Sequence, residues 1–362
     1  MTDITYSFEY GTTLRAGFIG AGGHSFRNVY PALQYAPIDL CAVCDTDLGR
    51  AEKYAKQFGA GRAYSDHHEM LAAERPEVVF IVTGYHEDGE VQATELAADC
   101  LRAGANVWME KPTASTSAAV RALARTSEEA GRLVMTGLKK MFTPAMQKVR
   151  AIIDSDEFGP LASISVRYPQ SLPPEGERFD GRAMRGFLDH IYHPAAVLTY
   201  LAGAVSRMSY EWEPANEGSV AALKFESGAV GSLHLAAGSA STSPLERVEV
   251  VGRGGNVVVE NGVRVTYYRS GAKQTYGRSA SYVVPDEVAP LTWEPEYSLG
   301  QLYNKNLFYL GYAPEILHFC EAVRGSADLT LGTLDQVAQI MALYETYQRL
   351  PAGEVGSVRE HR

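Results

Sequence analysis

Over the first third of the chain, short apolar runs alternate with longer stretches whose apolar residues recur at helical spacing. A run at residues 16–19 stops at Gly20-Ala21-Gly22-Gly23, after which Phe26, Val29 and Leu33 follow at helix-like intervals. Residues 39–44 read as a second buried strand and 48–58 as a helix closed by Gly59. Residues 77–83, Glu-Val-Val-Phe-Ile-Val-Thr, are apolar on both faces, as a central parallel strand must be. A helix closed by Gly104 leads to a strand at 106–109 that ends in Glu110-Lys111-Pro112. This alternation predicts an α/β fold with an N-terminal doubly wound parallel sheet, the Rossmann arrangement.

Past Thr136 the pattern changes. Residues 145–153 read as a helix. Residues 161–168, 205–212, 219–225, 230–235, 247–251, 257–260 and 263–268 read as strands joined by short turns, among them Glu226-Ser227-Gly228 and Asn261-Gly262. Such turns make hairpins, so the C-terminal domain is expected to be α+β, with a mostly antiparallel open sheet and helices on one face. The domain boundary is placed at residue 140, giving 1–140 and 141–362. Residues 271–311, rich in Tyr, Pro and polar side chains, read as a lid or an oligomer arm. Pro314 opens a helix through Val323, Thr333 and Gln336 form a capping box for a last helix, and the tail after Pro351 is expected to fray.

Composition narrows the partners. Thirty-three basic residues against forty-three acidic ones give a net charge of −10 with no basic cluster, which argues against nucleic acid and anionic membrane surfaces. The N-terminus lacks the pattern of a secretion signal, and no apolar run is long enough to span a bilayer, so the cytoplasm is the expected compartment. Four cysteines make no disulfide framework; Cys41 and Cys44 fall on opposite faces of a strand and read as core.

The glycine turn carries the first candidate chemistry. Glycines at Gly20, Gly22 and Gly23 allow a tight turn and a close approach of backbone to a diphosphate, with Ser25 as the small residue in the third glycine position. Asp45, at the end of the second strand, is placed to accept ribose hydroxyls and to repel a 2′-phosphate, which predicts NAD rather than NADP. Asp47 is better placed than Asp45 to cap the following helix. Thr83 and Tyr85 lie at the carboxyl end of the central strand, on the cofactor side. His67-His68-Glu69 has a metal-like composition but reads as a solvated loop before a helix, and no metal is expected.

The 16–22 turn, Asp45 and Glu110-Lys111-Pro112 together resemble the Gfo/Idh/MocA oxidoreductases, the family of glucose-fructose oxidoreductase and inositol dehydrogenase. The resemblance places the family's catalytic Lys, Asp and His on Lys111, Asp189 and His193, with Glu110 and Lys111 beside the cofactor. Asp189 and His193 share a helix face if the helix begins before them; a helix starting at Pro194 would instead leave both on the preceding turn. Lys139, Tyr168, Arg185, His190 and Tyr192 are candidate contacts to a polyhydroxylated substrate. His193 would act as acid and base near its ordinary pKa, Lys111 would stabilise alkoxide charge, and Asp189 would orient His193 or grip a hydroxyl.

The resemblance implies an NAD-dependent dehydrogenase or reductase acting on a sugar, cyclitol or glycoside, working as a homodimer or homotetramer through the open sheet face. Three alternatives remain. One is glycoside cleavage through transient sugar oxidation and elimination. Another is a catalytically silent, cofactor-bound sugar sensor, and the last is a metal-assisted enzyme using Asp189, His190 and His193.

Overall fold

The computed structural model describes residues 4–269, 289–295 and 306–359. The N-terminal alternation forms a six-stranded, wholly parallel sheet from β1 (Leu14–Ile19), β2 (Ile38–Cys44), β3 (Arg62–Tyr64), β4 (Val78–Ile81), β5 (Asn106–Glu110) and β6 (Val134–Gly137). Its order, β3-β2-β1-β4-β5-β6, reverses direction between β1 and β4, and ligands of such sheets bind beyond the strand ends at that point. All four residues of β4 are buried, as expected of a strand covered on both faces.

Helices α1 (Tyr30–Ala32), α2 (Leu48–Phe58), α3 (His67–Glu74), α4 (Ala93–Arg102) and α5 (Ser117–Ala130) cover this sheet. The local signals work as expected: Asp47 caps α2 by accepting from the Arg50 N–H, and Gly59 ends it with φ +79°. The first helix departs from expectation. A wide π turn at Ser25–Val29 precedes α1, which shifts Phe26 out of phase with Val29 and Leu33. Val29 and Leu33 are buried, whereas Phe26 is 45% exposed and lies edge-on to the rings of Tyr54 and Phe58.

The C-terminal part contains α6 (Pro144–Ile153), β7 (Leu161–Tyr168), α7 (Gly181–Ala202), β8 (Val205–Glu213), β9 (Gly218–Phe225), β10 (Val230–Leu235), β11 (Arg247–Gly252), β12 (Gly255–Glu260), β13 (Arg264–Arg269), β14 (Leu291–Trp293), α8 (Asn306–Tyr309), α9 (Tyr312–Val323), α10 (Leu334–Arg349) and β15 (Val355–Ser357). Among the described residues its nine strands order β14-β13-β12-β11-β7-β10-β9-β8-β15, antiparallel except for the parallel pair β7 and β10. Burial alternates along β9, so one sheet face meets the helices and the other stays open.

Two expectations need revision or restriction. The tail does not fray after Pro351: β15 pairs with β8, and Val358 is buried with its N–H donating to the Ser206 carbonyl at 3.0 Å. Backbone pairing with an open sheet edge supplies what the tail's composition did not advertise. The lid or arm expected at 271–311 lies largely outside the described residues.

The last two long helices return to the first sheet. α9 packs against β5 and β6, and α10 against α5, α7 and β6. The Thr136 N–H donates to the Gly332 carbonyl at 2.8 Å, and the Ser117 N–H to Glu345 Oε1 at 2.7 Å. Thr333 and Gln336 form the predicted capping box of α10.

Candidate active site

The cleft at the sheet's switch point has a volume of about 580 Å³ and is lined by the glycine turn, Asp45, Thr83 and the start of α4. Its glycines divide into two kinds. Gly20 has φ +108°, and a Cβ there would sit 1.9 Å from the Val82 carbonyl oxygen, so the protein itself excludes any side chain. At Gly22 and Gly23 a Cβ would meet nothing within 4 Å. The fold itself does not require glycine at either position. Ser25 is buried and closes the turn: its hydroxyl donates to the Gly22 carbonyl at 2.8 Å and accepts from the Gly22 N–H at 3.1 Å. We expect Gly22→Ala to leave the melting temperature unchanged while weakening NAD roughly tenfold, ~1.4 kcal/mol, which thermal denaturation and NAD titration would check.

Asp45 accepts from the Ala21 N–H at 2.8 Å, the Asp47 N–H at 3.0 Å and Arg50 Nη2 at 2.6 Å. Partial burial opposes its ionisation, but these hydrogen bonds outweigh it and hold the carboxyl below its ordinary pKa. Among the described residues Thr83 Oγ1 is buried without a partner, an open hydrogen-bonding site on the cleft wall. Open glycines, an anchored carboxylate and an unpaired hydroxyl fit a dinucleotide.

Beyond the cleft, β5 delivers Glu110 and Lys111 at its carboxyl end. Glu110 Oε1 lies 2.9 Å from His24 Nε2, and Oε2 accepts from the Lys111 N–H at 3.0 Å. Lys111 Nζ donates to Asp189 Oδ1 at 2.9 Å, and the Tyr85 hydroxyl donates to the same oxygen at 3.3 Å. The Lys111-Pro112 bond is cis.

Helix α7 starts at Gly181, capped by Asp180, and runs through Pro194, so Asp189 and His193 do lie one turn apart on one helix. They do not pair. Asp189 is committed to Lys111 and Tyr85, and among the described residues the His193 imidazole makes no hydrogen bond; its near neighbour is the Tyr168 ring, 6.0 Å away. Removal from water, joined by the charges of Lys111, Lys140, Lys139 and His190, holds the His193 pKa well below its ordinary value. His193 is therefore a neutral proton acceptor at pH 7. Burial keeps the phenols of Tyr85 and Tyr168 protonated, so both remain donors.

The other candidates divide. Lys139 Nζ donates to the Tyr312 hydroxyl at 3.0 Å, and its pKa is lowered mainly by burial. Arg185 is exposed over the Tyr85 ring, and His190 is exposed with Nδ1 2.9 Å from the Gly186 carbonyl. Tyr192 is not at the site surface. Its hydroxyl accepts from the Thr113 N–H at 3.2 Å and donates to Met341 Sδ at 3.3 Å, fixing the loop after Pro112 within the core.

The structure adds His24, Arg50, Lys140 and Tyr312. Lys140 Nζ pairs with Glu246 at 2.6 Å, and Tyr312 lies 3.2 Å from His24 Nε2. His24 stands in the glycine turn and could have been marked there. Tyr312 approaches from 288 residues away, a distance that leaves no local signal.

Comparison with known proteins places this architecture. The Gfo/Idh/MocA profile described as an oxidoreductase family with an NAD-binding Rossmann fold matches residues 14–138, and that family's C-terminal domain profile matches residues 146–258. The chain belongs to the Gfo/Idh/MocA oxidoreductase family, and its N-terminal sheet is the NAD-binding domain.

Trans-1,2-dihydrobenzene-1,2-diol dehydrogenase of Mus musculus is 30% identical over 150 residues, covering 41% of this chain and 44% of that protein. Inositol 2-dehydrogenase of Salmonella typhimurium is 30% identical over 172 residues, covering 45% and 48%. The match thus spans about half the length of these curated relatives. An Agrobacterium radiobacter oxidoreductase solved with NAD+, L-tartaric acid and magnesium superposes with a TM-score of 0.77 at 17% identity, covering 96% of this chain and 99% of that one. That likeness concerns the fold. No helix among the described residues is long and apolar enough to cross a membrane.

Proposed function

We propose that this protein is an NAD-dependent dehydrogenase or reductase acting on a secondary alcohol or ketone of a small polyhydroxylated compound, a sugar, cyclitol or glycoside. The observation that carries this reading is the convergence at one strand end of a fixed lysine and a neutral histidine. Lys111 is held 2.9 Å from Asp189, and His193 lies one turn further along the same helix. The dihydrodiol and inositol specificities of the two curated relatives support an alcohol substrate.

NAD supplies the hydride acceptor when bound. In the oxidising direction His193 takes the hydroxyl proton, and Lys111 stabilises the negative charge that develops on that oxygen. Asp189 positions Lys111 rather than His193. Tyr168, Arg185, His190 and Lys139 offer the donors and rings that a polyhydroxylated ligand requires. The open face of the C-terminal sheet, where Val220 and Val230 are half exposed, is the surface for a homodimer or homotetramer.

Asp45 and Arg50 set the choice of dinucleotide. Asp45→Ala should shift preference towards NADP by roughly tenfold, ~1.4 kcal/mol, because it removes the ribose acceptor and frees Arg50 to meet a 2′-phosphate. Parallel NAD and NADP titrations would show this, and unchanged discrimination would sink the ribose assignment.

The decisive experiment follows NADH absorbance with NAD and a panel of sugars, inositols and glycosides. Accumulating NADH with one class supports the proposal and names the substrate type. Glycoside consumption without NADH would transfer the assignment to transient oxidation and elimination, and silence on both counts would favour a sensor.

A further inference from the structure

His67 and His68 are not in a loop. Asp66 accepts from the N–H groups of His68 at 2.7 Å and Glu69 at 3.1 Å, making the two histidines the first residues of α3. From α4, Asp99 faces both rings: its Oδ2 lies 3.1 Å from His67 Nε2 and 3.7 Å from His68 Nε2. The rings themselves are only 4.0 Å apart, centroid to centroid. The Glu69 side chain is not part of this cluster.

One of these contacts is an ordinary hydrogen bond. The second is too long to be one, yet it brings another imidazole nitrogen to the same carboxylate oxygen. Three potential donor atoms, one from each residue, lie within 4.8 Å of one another. A tetrahedral zinc ion with nitrogen and oxygen ligands at about 2.0–2.2 Å separates neighbouring donors by about 3.3 Å. The distances of 3.1 and 3.7 Å to Asp99 Oδ2 bracket that spacing. The other oxygen, Oδ1, accepts from Arg102 Nη1 at 3.1 Å, which fixes the carboxylate as outer hydrogen bonds do around bound metals. Two imidazoles and one carboxylate suit zinc and its neighbours rather than magnesium or calcium.

We propose that His67, His68 and Asp99 bind one divalent transition-metal ion of the zinc class, which ties the start of α3 to α4. The site is distinct from Lys111, Asp189 and His193. It stands at the flank of the cofactor cleft, whose wall includes His67 and Leu96 of the same two helices.

The test uses the full chain, stripped with a chelator and titrated with zinc or cobalt by calorimetry and by visible absorbance. One equivalent should bind and raise the melting temperature, because an ion that binds only the folded state stabilises it by mass action. His68→Ala and Asp99→Asn should each weaken binding by roughly tenfold or more and abolish the rise, while melting like the wild type without metal. Wild-type affinity no tighter than that of both variants would overturn the site and leave adventitious surface binding only. Failure of the wild type to bind either ion would overturn it as well.

Discussion

Replacing Lys111 by alanine should lower turnover about 10²- to 10³-fold while leaving NAD affinity nearly unchanged, as loss of one donor to a developing oxyanion does. The expectation rests on where the ammonium is held. Its described partner is Asp189 Oδ1 on α7, and Lys111 is not among the residues that line the dinucleotide cleft. On the proposed mechanism Lys111 therefore serves the substrate oxygen rather than cofactor capture. Steady-state kinetics beside an NAD titration separates the two roles. Equal losses in turnover and in NAD affinity would mean that Lys111 only holds the cofactor.

The second large effect belongs to His193. His193→Asn should cost about 10²- to 10⁴-fold in turnover, the range for loss of a positioned general base. The pH profile carries the more specific expectation. Burial and the neighbouring cations lower the His193 pKa, so its neutral, proton-accepting form persists below the ordinary histidine value of about 6.5. In the oxidising direction, kcat/KM should therefore hold as pH falls through that value and decline only further down. The asparagine variant should lack that limb. A wild-type decline centred at or above about pH 6.5 would show that another group is the base.

Much of the fold is legible in the sequence because it rests on local rules. The Gly20 turn, the Asp47 cap, the Thr333 capping box and the Asn261-Gly262 hairpin depend on residues a few positions apart, and each forms as its sequence implies. Phe26 escapes the helical pattern because one wide turn changes the phase of a short helix. β15 leaves no mark in the tail's composition because its pairing with β8 is set by a distant sheet edge.

The candidate site divides in the same way. The family resemblance points to Lys111, Asp189 and His193, but not to the partner of Asp189. Spacing on α7 suggests His193, whereas the fold brings Lys111 and Tyr85 to that carboxylate from 78 and 104 residues away. The depressed basicity of His193 is equally hidden, since it depends on burial and on lysines from two other segments.

The return of α9 and α10 to the first sheet bears on how the chain can be dissected. A fragment stopping near residue 140 would contain every strand of the parallel sheet but lack the helices that cover β5, β6 and α5. It would expose apolar surface built to be hidden and leave the Thr136 N–H without its acceptor, the carbonyl of Gly332. The nucleotide-binding half is therefore not a portable module. Grafting it onto another substrate domain requires carrying residues 312–349 along with it, and the intact chain should melt in a single cooperative step.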